Sequence, residues 1–181
     1  MNKWITSDLH YWHKNIIKFS PKREHFDSVE QMNDFLIEEW NSKVKPDDTI
    51  YHLGDFCFAG KTKAADILDR LNGQKVFILG NHDYKLKSLY QEYGQVEHYM
   101  EIKHNDAKVC LMHYPILAWN QQGRGSVMLH GHCHGMLKPE HSKGRILDVG
   151  WCNHGKILSL DEAVQECLNK DIVPVDGHSV V

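Results

Sequence analysis

A layered α/β sandwich is the fold class predicted for this chain of 181 residues. Three observations predict it. Short apolar runs of strand length alternate with segments of 3.6-residue periodicity early in the chain, and with further strand-like runs later. The length suits one domain, spanning 1–181, that buries roughly 70% of its unfolded surface and needs no disulfide staples. Finally, side chains able to bind metals follow the ends of the strand-like runs, which is where sites form in α/β sheets.

The elements follow in order. Lys3–Ser7 is an apolar-bearing run ending at Asp8 and reads as a strand. Ser28 to Lys43 carries Val29, Met32, Phe35, Leu36 and Trp40 at helical spacing, and Ser28 with Gln31 predicts a capping box. Pro46-Asp47-Asp48 is a turn before a strand over Thr49–Leu53. Thr62–Leu71 is helical with Ala65, Leu68 and Leu71 inward, and Asn72-Gly73 stops it. Lys75–Leu79 is a strand and Tyr84–Tyr93 a helix. Val96–Ile102 and Ala107–Met112 read as a hairpin around His104-Asn105-Asp106. Val127–His130 and Ile146–Val149 are strands, and Leu160–Asn169 is a closing helix with Leu160, Ala163, Val164, Cys167 and Leu168 on one face. A frayed tail is expected from about residue 175.

Net charge is −3, without the strongly basic balance of a duplex-binding protein. Extended duplex nucleic acid is therefore not an expected partner. No run of 18 apolar residues and no apolar leader is present, so neither membrane spanning nor export is expected. The five cysteines are odd in number and make no C-x-x-C pair, which fits reduced thiols in the cytoplasm. Histidine is the anomaly, at 14 residues, and clustered histidine is the commonest way to build a transition-metal site.

The clusters are Asp8-Leu9-His10, Gly54-Asp55, Gly80-Asn81-His82-Asp83, His113-Tyr114-Pro115 and His130-Gly131-His132-Cys133-His134-Gly135. Asp8 and His10, two apart in an extended stretch, would face one side. Asp55 and Asn81 each follow a glycine, which allows backbone to approach a metal closely. His132 and His134 are also two apart, and His113 ends an apolar strand and is set by Pro115. Any one of these is more often a turn former, a cap or a hydrogen-bonded histidine. Together they supply carboxylate, imidazole and amide oxygen, a hard and borderline donor set suited to two divalent cations.

The set D-x-H (Asp8, His10), G-D (Gly54, Asp55), G-N-H-D (Gly80–Asp83), H (His113) and G-H-x-H (Gly131–His134) resembles the calcineurin-like metallophosphoesterase superfamily over residues 3 to 160. The stretch Thr6 to Asn15 and the Trp40-Asn41 pair look like a small branch found in bacteria and phages. The resemblance implies a four-layer sandwich of two mixed β-sheets flanked by helices. It implies that Asp8, His10 and His134 hold one metal, that Asn81, His113 and His132 hold the other, and that Asp55 bridges them. His82 would be the general acid or electrostatic clamp, with Asp83 orienting it. The cofactors implied are two divalent transition metal ions, manganese first, with iron, zinc, nickel or cobalt as alternatives. Such a pair clamps phosphoryl oxygens and generates a bridging hydroxide nucleophile.

After Gly54-Asp55 the chain reads Phe56-Cys57-Phe58-Ala59-Gly60, without the arginine of the family's D-R-G protein phosphatases, so a phosphoprotein substrate is not expected. The chain is also too short for an added cap. An open rim with few cations leans toward a small or nucleotide-type phosphodiester, with a phosphomonoester as the alternative. His13, Asn15 and Arg124 are the expected substrate-binding residues, Arg124 because a guanidinium can take two phosphate oxygens at once. Tyr11, Trp12, Trp119 and Trp151 are candidates for stacking on a base. His130 is expected in the core, His154 lies at the pocket or on the surface, and Cys57, Cys133 and Cys152 are expected to pack. His25, His52, His98, His104, His141 and His178 are left as structural or surface residues. A non-catalytic metal-binding protein is the rival class, and retention of His82 argues against it. A mononuclear iron oxygenase would leave Asn81, His113 and His132 idle. A nuclease would need Lys61, Lys63, Lys85, Lys87 and Lys138 to form a groove, without aromatic interleaving to support it.

Overall fold

A computed structural model describes residues 1–175. The frayed tail and His178 lie outside the described residues, apart from Val175 itself, which is exposed. Chain order is β1 (Lys3–Thr6), α1 (Ile16–Phe19), α2 (Val29–Lys43), β2 (Thr49–His52), α3 (Lys61–Arg70), β3 (Gln74–Ile78), α4 (Lys87–Tyr93), β4 (Gly94–Glu97), β5 (Tyr99–His104), β6 (Ala107–Met112), β7 (Val127–His130), β8 (Ile146–Asp148), α5 (Trp151–His154), β9 (Leu158–Ser159) and α6 (Leu160–Leu168).

Two mixed sheets result. The first runs β4-β3-β2-β1-β9 and is parallel except for β9. The second runs β5-β6-β7-β8 and is parallel except for β5. Strand periodicity divides the side chains between layers. Ile50 and Phe77 face the cluster built with α2, α3 and α4, whereas Tyr51, Leu53 and Ile78 face the second sheet. There they meet Val109, Leu111, Val127, Leu129 and Leu147, with α6 contributing Leu160, Ala163, Val164 and Cys167. The chain is an α/β sandwich of two mixed sheets flanked by helices.

Three local readings need correction. Ser28 accepts from the Gln31 N–H at 3.1 Å, but the Gln31 side chain accepts from the Asp27 N–H instead of the Ser28 N–H, so α2 has a cap without a closed box. On α3 the buried residues are Ala64, Ile67 and Leu68, with Ala65 only half-buried. Both alanines lie within a turn of Leu68, and the larger Ile67 decides which edge turns inward. Val96–Ile102 is not one strand. Val96 pairs beside Phe77 in the first sheet, and after His98 the chain crosses to pair Tyr99–His104 with β6. Val96, Met100 and Ile102 alternate in one phase, so the pattern conceals the change of partner.

Parallel strands deliver their C-terminal ends to a common side. Asp8, Asp55, Asn81, His113 and His132 all follow β1, β2, β3, β6 or β7 by a few residues, so both sheets feed one rim.

Candidate metal centre

The backbone at the rim is unusual. Asp8, His10, Asp55, His132 and His134 have φ of 56°, 53°, 57°, 68° and 50°. Left-handed backbone costs an L-residue about 1–2 kcal/mol, and Asp and His are among the types that tolerate it. Asp8/His10 and His132/His134 therefore converge through left-handed turns, and not through the pleat of an extended strand. Glycines make room behind them. A Cβ on Gly54, itself at φ +95°, would strike the His113 ring and the Gly80 backbone, and one on Gly131 would strike Ser7 and Asp8.

Two groups of donor atoms result. In the first, Asp8 Oδ1 lies 3.6 Å from His10 Nε2 and 3.7 Å from His134 Nε2. Asp8 Oδ2 is occupied by Ser7 Oγ–H at 2.7 Å and the His132 N–H at 2.9 Å. Oδ1 and both His10 nitrogens are buried with no hydrogen-bond partner among the described residues. In the second, Asn81 Oδ1 lies 3.0 Å from His113 Nε2 and 3.1 Å from His132 Nδ1. His113 Nδ1 is 2.7 Å from the Leu53 carbonyl, which can only accept. That bond places the ring proton on Nδ1 and leaves Nε2 an acceptor facing another acceptor. A cation would satisfy both, so the residues present fit a metal on each side.

Asp55 joins the groups. Its Oδ1 accepts the His82 N–H at 3.0 Å. Its Oδ2 lies 3.9 Å from His10 Nε2, 3.7 Å from His113 Nε2 and 3.9 Å from His82 Nε2. Burial, reinforced by Asp83 and Asp8, pushes the Asp55 carboxyl up to about 6, against the pull of His113 and the His82 N–H. Burial would likewise raise Asp8, but the neighbouring imidazoles of His10, His134 and His113 hold it well below the usual carboxylate range. Burial pushes the His10 imidazole down to about 4, against the pull of the Asp8 carboxylate 3.6 Å away. These are carboxylate and neutral imidazole, the protonation states in which metals are bound.

The surrounding residues divide less evenly. His82 is half-exposed over Asp55 and packs on Phe58 at 4.3 Å. His13 lines the same slot, stacked on Phe58 at 4.0 Å with rings 10° apart. Asp83, expected to orient the His82 ring, does something else. Its Oδ2 accepts from Asp55 N–H and Gly80 N–H at 2.7 and 2.9 Å, and its Oδ1 from Phe56 N–H and Tyr90 O–H at 3.1 and 3.0 Å. It ties together the two loops that carry Asp55 and Asn81. Asn15 is exposed at the start of α1 and lines no part of the slot. Arg124 opens into a different hollow, beside Arg145 and Asp161, because the Gln122–Arg124 turn precedes β7 and sits at the strands' other end. His154 turns away to the Asp148 carbonyl, and His130 is buried. Of the stacking candidates, Tyr11, Trp119 and Trp151 are buried and Trp12 is covered by Lys63 at 4.0 Å. The aromatic residues that do line the slot are Phe19 and Phe58. Burial pushes the Cys57 and Cys133 thiols up to about 11, as suits packing.

Arg23 carried no signal in the sequence. It is fully buried, without a carboxylate partner among the described residues. Its guanidinium donates to the Asp8 carbonyl at 2.8 Å, the Leu9 carbonyl at 3.0 Å and Cys152 Sγ at 3.3 Å, and lies 4.7 Å from the Trp151 ring. It holds the Asp8–His10 turn from behind.

The chain matches the model of the calcineurin-like phosphoesterase family over residues 1–179. It is 37% identical over 133 residues to an uncharacterised protein of Methanocaldococcus jannaschii, covering 72% of this chain and 68% of that one. It is 32% identical over 193 residues to the Gene 66 protein of Mycobacterium phage L5, covering 89% and 91%. A solved protein of unknown function from Aquifex aeolicus superposes with a TM-score of 0.69 at 26% identity, covering 91% of this chain and 98% of that one. The chain belongs to the calcineurin-like phosphoesterase family and is a metal-dependent phosphoester hydrolase.

Proposed function

We propose that the protein is a two-metal phosphodiesterase acting on a small or nucleotide-type phosphodiester. The observation that carries this reading is Asp55 Oδ2, which lies within 4 Å of ring nitrogens from both donor groups, 3.9 Å from His10 and 3.7 Å from His113. One carboxylate oxygen so shared suits two cations and offsets part of their repulsion. Asp8, His10 and His134 would hold one, Asn81, His113 and His132 the other. When bound, manganese or a similar divalent ion supplies Lewis acidity that draws charge from phosphoryl oxygens and makes water acidic near neutral pH.

The chain's own residues supply the rest. His82 faces the slot with its imidazole half in solvent, so it can give a proton to the departing oxygen and be reprotonated from water. Phe58 packs against that ring and limits its swing. Asp83 is a positioning residue that keeps Asp55 and Asn81 in register. Apart from histidines, Lys22 is the one cationic side chain lining the slot among the described residues, which favours a diester monoanion over a monoester dianion. Five free cysteines support a cytoplasmic placement, and no described helix is long and apolar enough to cross a membrane.

The test is hydrolysis of bis-p-nitrophenyl phosphate against p-nitrophenyl phosphate by manganese-reconstituted protein, with metal content measured alongside. A diester preference with about two metals per chain is expected. A monoester preference would make the protein a phosphomonoesterase. Two bound metals without turnover of either substrate would return weight to a binding role.

A further inference from the structure

The slot is larger than a phosphate needs. It encloses about 750 Å³, the size of a pocket for a small organic molecule, and runs from the metal donors to α1 and the loop after His134. Away from the donors its walls are Ile16, Phe19, Pro21, Phe58 and Met136. Two of these are out of place for side chains with no task, since Phe19 is 71% exposed and Met136 is 77% exposed. Phe19 ends α1 and Met136 lies on the loop after His134, and the two meet at one slot, whereas single apolar residues scattered over a surface need no explanation.

The polar groups on the same walls are few and only partly spent. Ser20 is buried, and its Oγ has no hydrogen-bond partner among the described residues. Asn153 spends its Nδ2 on the Asp148 carbonyl at 3.0 Å and leaves Oδ1 as an acceptor. Lys22 makes no hydrogen bond among the described residues and offers a donor. An alkyl chain would bury these groups unpaired, at a cost in affinity. A second phosphate would meet only one lysine. A flat heteroaromatic group fits both requirements, with faces for Phe19, Met136 and the Phe58–His13 stack, and an edge with donors and acceptors for Lys22, Ser20 and Asn153.

We infer that the slot walled by Ile16, Phe19, Pro21, Phe58 and Met136 is a subsite for a nucleobase-sized aromatic substituent of the substrate. The inference rests on the phosphodiesterase reading and narrows it to diesters with a base-like group within one slot's length of the phosphorus.

Equilibrium binding tests it without turnover. Metal-loaded protein is titrated calorimetrically with the non-hydrolysable 5′-phosphonate analogues of adenosine 5′-monophosphate and of ribose 5-phosphate, in which carbon replaces the ester oxygen and which differ by the base. The nucleotide analogue should bind at least about tenfold tighter, the scale of one stacked base. The Kd ratio should fall toward one in the Phe19→Ala/Met136→Ala protein, whose substitutions are both at exposed positions and spare the fold. Equal affinities in the native protein, or a ratio that survives the double substitution, would overturn the subsite. Octylphosphonate binding as tightly as the nucleotide analogue would overturn its aromatic character. Failure of the phosphodiesterase reading would appear in the hydrolysis comparison and leave this ratio untouched.

Discussion

Two hollows of nearly equal size lie at opposite ends of the strands, about 750 Å³ at the C-terminal rim and about 770 Å³ at the N-terminal side of the second sheet. Both are lined by histidine, carboxylate and a long cation. Their bonding differs. In the second hollow the buried and half-buried polar groups have partners. Arg145 donates to the Gly125, Leu168 and Lys170 carbonyls, His104 meets Asp161 at 2.8 Å, and Lys108 meets Glu101 at 3.2 Å. At the rim Asp8 Oδ1, both His10 nitrogens and His134 Nδ1 are buried and unpartnered among the described residues. Buried polar atoms are nearly always paired, so a concentration of unpaired ones marks a place where something else binds. Concavity alone would have ranked the two hollows together.

The largest expected effect breaks the rim at its shared oxygen. Asp55→Asn keeps an oxygen to accept the His82 N–H, so the fold should survive. kcat/KM should fall roughly a thousandfold, the scale of losing several kcal/mol of charge stabilisation, and metal content should drop below that of the native protein. Asp161→Asn in the other hollow should change neither by more than about twofold. Full activity and metal content in Asp55→Asn would end the shared-carboxylate reading.

His82→Ala comes next. Proton donation by a positioned side chain contributes typically about 10²–10⁴-fold. The loss should appear in kcat for diesters with an alkoxide leaving group and shrink for nitrophenolate, which departs without a proton. Metal content should be unchanged, because the His82 ring belongs to neither donor group. Equal losses on both leaving groups would assign His82 to binding.

The two hollows also differ in how legible they were. The rim was readable because each candidate donor is a chemically marked residue just past an apolar run, with Asp55, Asn81, His132 and His134 beside a glycine as well, and the run itself is local. What lay behind the rim was not. Arg23 works through main-chain carbonyls, which leave no trace in side-chain identity, and its partners Asp8 and Leu9 are 15 and 14 residues away. Asp83 was legible as part of the motif, but its partners, the Asp55 and Phe56 amides and the Tyr90 hydroxyl, come from other elements. Arg124 looked like a phosphate ligand because it precedes the His132 strand. In a parallel sheet that position is the far end, and only the three-dimensional pairing reveals it. The same holds for the crossing at His98, where one alternating phase serves two sheets.

His52 tests the lesson from the other side. It is buried with neither nitrogen partnered among the described residues, yet it lines neither of the two hollows and packs against Phe56 and Phe77 at 5.1 and 6.4 Å. Burial pushes its imidazole down to about 3. A histidine with a depressed folded pKa contributes stability that is complete above its unfolded value near 6.5 and is lost as pH falls toward the folded one. His52→Phe should leave turnover at neutral pH within about twofold and flatten the loss of stability below pH 6.5, moving the acid-unfolding midpoint down by about half a pH unit. Altered metal content in this variant would make His52 part of the rim after all.

The smallest expected effect is the sharpest check on the comparison. Arg124 is the residue that sequence reasoning sends to the substrate and the structure sends to the saturated hollow, exposed and with no carboxylate beside it closer than the 4.0 Å of an ion pair among the described residues. Arg124→Ala should leave kcat/KM for diester and monoester within about twofold and stability within about 0.5 kcal/mol, as for any exposed side chain that bonds nothing. A loss above about fivefold on either substrate would mean that the loop before β7 reaches the rim during turnover, and that the two hollows act together. Unchanged kinetics on both substrates would leave the unpaired donors at the rim as the whole of the phosphate-binding machinery, since nothing at the other end of the sheet would then compensate for the slot's single lysine.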